Sequence, residues 1–184
     1  HPGHGTVTKG IREMFLKRVG VDVDDFRGGP REARAAYAEA IRKLGPVLGA
    51  DFSELNESQM CDDFHYTIFP NVTFNTHSTF VWVFTHRPHP EDPNKMYFDF
   101  WNLMNAPSQD IPRPQKKFFR TADGNTLAGV CEGGDLLDED LYNLPRIQRG
   151  MNSAAFEALH LCTQEVRILH HHDTLMKYIE GGRG

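Results

Sequence analysis

Ten histidines are spread over 184 residues, and only a few sit where their spacing suggests chemistry. The run His170-His171-His172-Asp173 contains His171-x-Asp173, the opening of an H-x-D…H iron triad. That triad works on a strand, where residues i and i+2 share a face; in a helix they point to nearly opposite sides. The run falls in a predicted helix, which makes these histidines solvated surface groups. His86-Arg87-Pro88-His89-Pro90 is proline-rich and reads as a turn between strands. Cys61, Cys131 and Cys162 show neither C-x-x-C spacing nor a histidine at a partner spacing, so they read as small hydrophobes rather than nucleophiles or zinc ligands. The sequence has no G-x-S-x-G, no phosphate-binding loop and no G-x-G-x-x-G. Two features remain. The chain opens on His1-Pro2-Gly3-His4, and Glu139-Asp140 lies in a helical pattern, with Gln148-Arg149-Gly150-Met151 beginning eight residues after the Asp. A histidine and a carboxylate beside an apolar cavity suit a mononuclear Fe(II) centre, in which two imidazoles and one carboxylate take one face and leave the other open. An acidic pair near a helix start also serves simply to complement the helix dipole.

The elements that must hold these groups follow from composition and period. Residues 30–44 predict an amphipathic helix: proline at its start, Ala33, Tyr37, Ala40, Ile41 and Leu44 on one stripe, and Gly45 as its stop. The residues before it read as a short helix and then loop. From Cys61 to Met104 the pattern becomes that of strands, with β-rich runs at 64–69, 80–84 and 96–101 separated by turn residues. Short connections make them antiparallel neighbours. In the middle run both alternating sets, Phe80/Trp82/Phe84 and Val81/Val83, are apolar, so that strand is covered on both faces or lines a greasy cavity. Residues 107–125 read as a polar surface excursion. A helix returns at Asp135 and meets Pro145, which implies a kink or two abutting helices. Residues 156–162 suggest one more short strand. The last helix would start at an N-cap Thr163, carry a stripe of Val166, Leu169, Met176 and Ile179, and stop at Gly181-Gly182. One α+β domain over 1–184 is the economical reading.

Composition narrows the classes. Hydrophobic residues make up 39% and charged residues 24%, with 13 Phe, 5 Tyr and 2 Trp, which fits a globular domain with an aromatic interior. A net charge of −5 supplies no basic field for a phosphate backbone, so nucleic acid is not an expected partner. No apolar run is long enough to cross a bilayer and no signal peptide is evident, so no membrane partner is expected either. Three cysteines without a disulfide pattern point to a reducing cytoplasm, which leaves the Asn56-Glu57-Ser58 and Asn71-Val72-Thr73 sequons unused.

Four pieces in order carry a resemblance: Tyr66-Thr67-Ile68-Phe69-Pro70-Asn71-Val72, the Arg87-to-Pro93 turn, Glu139-Asp140-Leu141 with Gln148-Arg149-Gly150-Met151-Asn152-Ser153, and Glu165-Val166-Arg167-Ile168-Leu169-His170. Together they resemble the catalytic domain of the large (alpha) subunit of Rieske-type non-haem iron ring-hydroxylating oxygenases. The resemblance implies a helix-grip (START-like) fold, an antiparallel sheet wrapped around a long C-terminal helix. It implies iron ligands in the pattern D-x-x-H-x-x-x-x-H-P plus a distant Asp upstream of a Gln. His1, followed by Pro2, resembles the second histidine, and Asp140 resembles the carboxylate. By the same resemblance the first ligand histidine, the acid that bridges to the neighbouring subunit's cluster, and the Rieske domain would precede residue 1, so the chain would begin inside its own metal motif. His4, at His-x-x-His spacing, does not fit the ligand pattern.

The resemblance further implies oxygenation of an aromatic small-molecule substrate with O2 at mononuclear Fe(II). Electrons would come from a Rieske [2Fe-2S] cluster fed from NAD(P)H by a reductase, with or without a ferredoxin, in a homotrimer with or without a beta subunit. Candidate substrate-pocket residues are Phe64, Ile68, Phe80, Trp82, Phe98 and Phe100. The competing expectation is a non-catalytic module of the same fold that binds a hydrophobic ligand.

Overall fold

The computed structural model describes residues 13, 16–17, 19–22, 24–104, 115–119, 126–128 and 134–181. Its contacts divide into two compact units, one drawn from 1–67, 72–85 and 98–113 and the other from 68–71, 86–97 and 114–184.

In the first unit, Glu13, Leu16 and Lys17 are helical, and the chain turns at Gly20, whose φ of 72° suits a residue without a Cβ. Helix α1 (Pro30–Leu44) follows, opened by its proline and carrying Glu32 in its first turn and Arg42 and Lys43 in its last, as the helix dipole favours. It buries Ala33, Tyr37, Ala38 and Ile41; Ala38 takes the place expected of Ala40, and Leu44 stays exposed. A 3-10 turn (Gly45–Leu48) then reverses the chain. A Cβ on Gly45 would stand 2.7 Å from the Ala50 carbonyl oxygen, which explains glycine there. The short helix α2 (Glu57–Cys61) starts with a capping box, in which Asn56 Oδ1 accepts from Gln59 N and Gln59 Oε1 accepts from Asn56 N. Tyr37, Ala38, Ile41, Phe52 and Met60 form the core between α1 and α2. At its rim the Arg34 guanidinium donates to Asp62 at 2.5 Å and to Glu57 at 3.1 Å.

Four strands form one sheet in chain order: β1 (Phe64–Ile68), β2 (Val72–Thr76), β3 (Phe80–Pro88) and β4 (Met96–Met104). The sequence reading had three of them. β2 is a fourth: its five residues between Pro70-Asn71 and His77 are too few to show a strand period, although Val72, Thr73 and Thr76 are β-branched. It pairs antiparallel with β3, Val72 opposite Thr85 through Thr76 opposite Val81.

In the second unit, helix α3 (Gly134–Met151) runs through Pro145 as one element. The proline cannot donate to the Leu141 carbonyl, and one residue later Arg146 donates its guanidinium to the Tyr142 carbonyl and lies over the Tyr142 ring. Residues 156–162 form no strand, a correction to the expectation; they include no β-branched residue. The last helix, α4 (Val166–Ile179), is preceded by a 3-10 turn (Thr163–Glu165). Cys162 rather than Thr163 opens that turn, its N–H donating to the Glu165 carboxylate at 2.7 Å, which holds this carboxyl below its usual range. The stripe of Val166, Leu169, Met176 and Ile179 is exposed; the helix meets Phe69 of the β1–β2 turn through His171 at 5.5 Å and Tyr178 at 5.0 Å. Among the described residues no helix is long and apolar enough to cross a membrane.

Candidate functional site

Three consecutive acids on α3 have different surroundings. The Asp138 carboxylate accepts the backbone N–H of Leu127 at 2.8 Å and of Ala128 at 2.8 Å, so it is occupied in holding residues 127–128. Glu139 and Asp140 are exposed, and no described residue bonds or pairs with Asp140. Helical spacing puts Asp140 in line with Leu136, Leu144, Ile147 and Met151, all exposed apolar side chains. An uncompensated carboxylate inside an apolar stripe is unusual for a solvated helix face, where charges normally cluster on the side away from the hydrophobes. In donor chemistry Asp140 fits one position of a mononuclear iron site: an anionic oxygen that no described residue occupies. His1 and His4 lie outside the described residues, as does Cys131. Among the described residues no three metal-binding side chains cluster. On α3 the side-chain amides of Gln148 and, just beyond the helix, Asn152 both donate to Asn94 Oδ1 in the β3–β4 turn, at 3.3 and 3.0 Å.

The expected pocket residues divide by face. Directly opposed residues of an antiparallel pair share a face, so Asn75 stands with Trp82 and Thr73 with Phe84, while Phe74 stands with Val83 on the other side. Tyr66 stacks on Phe74 at 5.1 Å, which puts Tyr66 and, by alternation, Phe64 and Ile68 on that other side. Phe80, Trp82, Phe98 and Phe100 come together on the first face. Trp82 meets Phe80 at 5.3 Å and Phe100 at 5.8 Å, and Phe84 stacks on Phe98 at 5.6 Å and Phe100 at 5.4 Å. Six candidates therefore become four, and Phe84 and His77 join them. Phe84 was legible from its parity with Phe80 and Trp82; His77, stacked on Phe80 at 4.2 Å, was not. Trp82 and Phe84 are buried, whereas Ile68 is 57% exposed. Among the described residues, this face also carries two buried polar atoms without a hydrogen-bond partner, Trp82 Nε1 and Asn102 Oδ1. A cavity of about 270 Å³ opens where His77 and Phe80 approach Leu103 and Met104.

The other histidine groups take structural places. His170, His171 and His172 lie on α4, where His171 packs on Phe69. His89 Nδ1 accepts the backbone N–H groups of Glu91 and Asp92 at 3.2 and 3.1 Å, closing the β3–β4 turn. Cys61 is half-buried, and burial pushes its thiol pKa up, away from nucleophilic character; Cys162 is exposed, against expectation.

Neither the curated proteins nor the solved structures contain a match to the chain. A family model, that of the ring hydroxylating alpha subunit (catalytic domain), matches residues 15–181, from before α1 to the end of α4. Since that match covers nearly the whole chain, the chain belongs to the family of ring-hydroxylating oxygenase alpha-subunit catalytic domains.

Proposed function

We propose that this chain is the catalytic domain of an enzyme that inserts O2-derived oxygen into an aromatic ring at a mononuclear Fe(II) site, with Asp140 as the carboxylate ligand and His1 as one of two histidine ligands. The observation that carries the proposal is Asp140 itself, an unengaged carboxylate in an apolar stripe, eight residues before Gln148 in the family's order. Iron held there supplies O2 activation. The protein's own part is to bind, orient and exclude water. Asp140 offsets part of the metal's charge while a neutral His1 donates a nitrogen. Phe80, Trp82, Phe98 and Phe100 offer apolar ring faces against which an aromatic substrate stacks and from which water is displaced.

The rest of the reading follows the family. Residues 1–184 form one catalytic domain of helix-grip type, and the hold of Phe69 on α4 supports that architecture. A [2Fe-2S] Rieske cluster, a second histidine ligand and a bridging acid complete the electron-transfer circuit in this reading. Electrons come from a reductase, directly or through a ferredoxin, in a cytoplasmic homotrimer with or without a beta subunit.

The test is iron content by elemental analysis in the full-length protein. Asp140→Ala is expected to lose the mononuclear iron and Glu139→Gln to keep it. Full iron in Asp140→Ala would show the carboxylate to be another one, and a wild-type protein without mononuclear iron would favour the hydrophobic-ligand module.

A further inference from the structure

The side-chain amide of Asn75 is held between two groups. Its Nδ2 lies 2.5 Å from an Asp63 carboxylate oxygen, and its Oδ1 lies 2.9 Å from His65 Nδ1. A carboxylate only accepts hydrogen bonds, so the edge of the amide facing Asp63 is its NH2 and the edge facing His65 is its carbonyl. A carbonyl also only accepts, so the proton of neutral His65 sits on Nδ1 and Nε2 carries the lone pair. The second Asp63 oxygen lies 3.6 Å from His77 Nε2, just past the end of β2. No described residue takes up His65 Nε2.

The position of this imidazole gives it a use. Tyr66 is on the Phe74 side of the sheet, so His65 is on the other side with Asn75 and Trp82. Asn75 opposes Trp82, and Trp82 meets Phe100, so His65, Asn75, Trp82 and Phe100 form one row across all four strands. The row is polar at the β1 end and aromatic at the β4 end. Within it Trp82 is 8% exposed, and its Nε1–H is buried, with no partner among the described residues. A phenolic hydroxyl donates to a nitrogen lone pair, whereas an aryl ether only accepts.

We propose that the Asp63–Asn75–His65 relay sets substrate specificity on the aromatic face, presenting His65 Nε2 as a fixed acceptor for the hydroxyl of an already hydroxylated aromatic ring. This rests on the ring-hydroxylating reading above, and two measurements keep the two apart. The first needs no ligand: 15N-correlated NMR of His65 in the whole chain at pH 8 is expected to show the proton on Nδ1, and Asn75→Leu to release it to a mixture of tautomers. A proton on Nε2 in the wild type, or no change in Asn75→Leu, overturns the relay. The second compares phenol with anisole by tryptophan fluorescence. The wild type is expected to bind phenol about 2–10-fold more tightly, as one hydrogen bond allows, with parity in His65→Phe and Asn75→Leu and anisole unchanged. Equal wild-type affinities overturn the specificity proposal alone; failure to bind either compound, with the tautomer as expected, overturns the aromatic-substrate reading it rests on.

Discussion

Truncating Phe84 separates a two-faced sheet from a single aromatic wall. Phe84 is 8% exposed and stacks on Phe98 and Phe100 with centroids 5.6 and 5.4 Å away and planes tilted by 23° and 22°. Cutting a buried phenylalanine to alanine costs about 3–5 kcal/mol, lost transfer and residual cavity together. Two ring pairs account for about 0.5–1.5 kcal/mol each within that figure. Phe84→Leu keeps most of the apolar volume and loses the ring pairs, so about 1–3 kcal/mol is expected for it. Ile68 is 57% exposed on the opposite face, and Ile68→Ala should cost only about 1 kcal/mol, well below the range for a fully buried isoleucine. For a chain of this size each kcal/mol moves Tm by about 2–4 °C. Scanning calorimetry should therefore place Phe84→Ala about 10 °C below wild type, Phe84→Leu between the two, and Ile68→Ala within a few degrees of wild type. Equal losses in Ile68→Ala and Phe84→Ala would refute the division of faces.

Two glycines of α3 should respond in opposite directions. A Cβ on Gly134 would stand 2.1 Å from the Leu127 carbonyl oxygen, so Gly134→Ala is expected to lose about 1–3 kcal/mol in urea denaturation and to speed amide exchange at 127–128. A Cβ on Gly150 meets nothing within 4 Å, and Gly150→Ala should gain about 0.5–1 kcal/mol. Hydrogen bonds from Arg34 and Ser58 hold the Asp62 carboxyl below its usual range, so its contribution is present above about pH 3.9 and is lost as pH falls through the lower folded value. Because the pair is half-exposed, Asp62→Asn should cost about 0.5–1 kcal/mol at pH 7 and progressively less as the pH falls below about 3.9. Burial lowers the pKa of His86, so the unfolded chain binds the proton more readily and stability falls as pH drops below about 6.5. His86→Gln should flatten that stretch of the curve.

How far each element was legible depended on where its signal lay. α1 announced itself through Pro30 and a helical apolar stripe, α3 through its length, and β3 through an unbroken aromatic and β-branched run. β2 and α2 are five residues each, too short for a period to emerge, and they exist because β3 pairs with one and α1 packs on the other. That Asp140 is a candidate ligand was legible only through the resemblance, which puts a carboxylate upstream of Gln148. Which of the three neighbouring acids is free was not, since Asp138 is taken by amides some ten residues away in the chain.

The family and the α+β class were determined by sequence alone, because each rests on residue types at short spacings that the chain carries wherever it folds. Tertiary structure decided the rest. Strand alternation says which residues share a face within one strand, but only pairing says which faces of different strands coincide. Pairing put Phe64 and Ile68 opposite Trp82 and brought Asp63, His65 and Asn75 into one hydrogen-bonded row beside it.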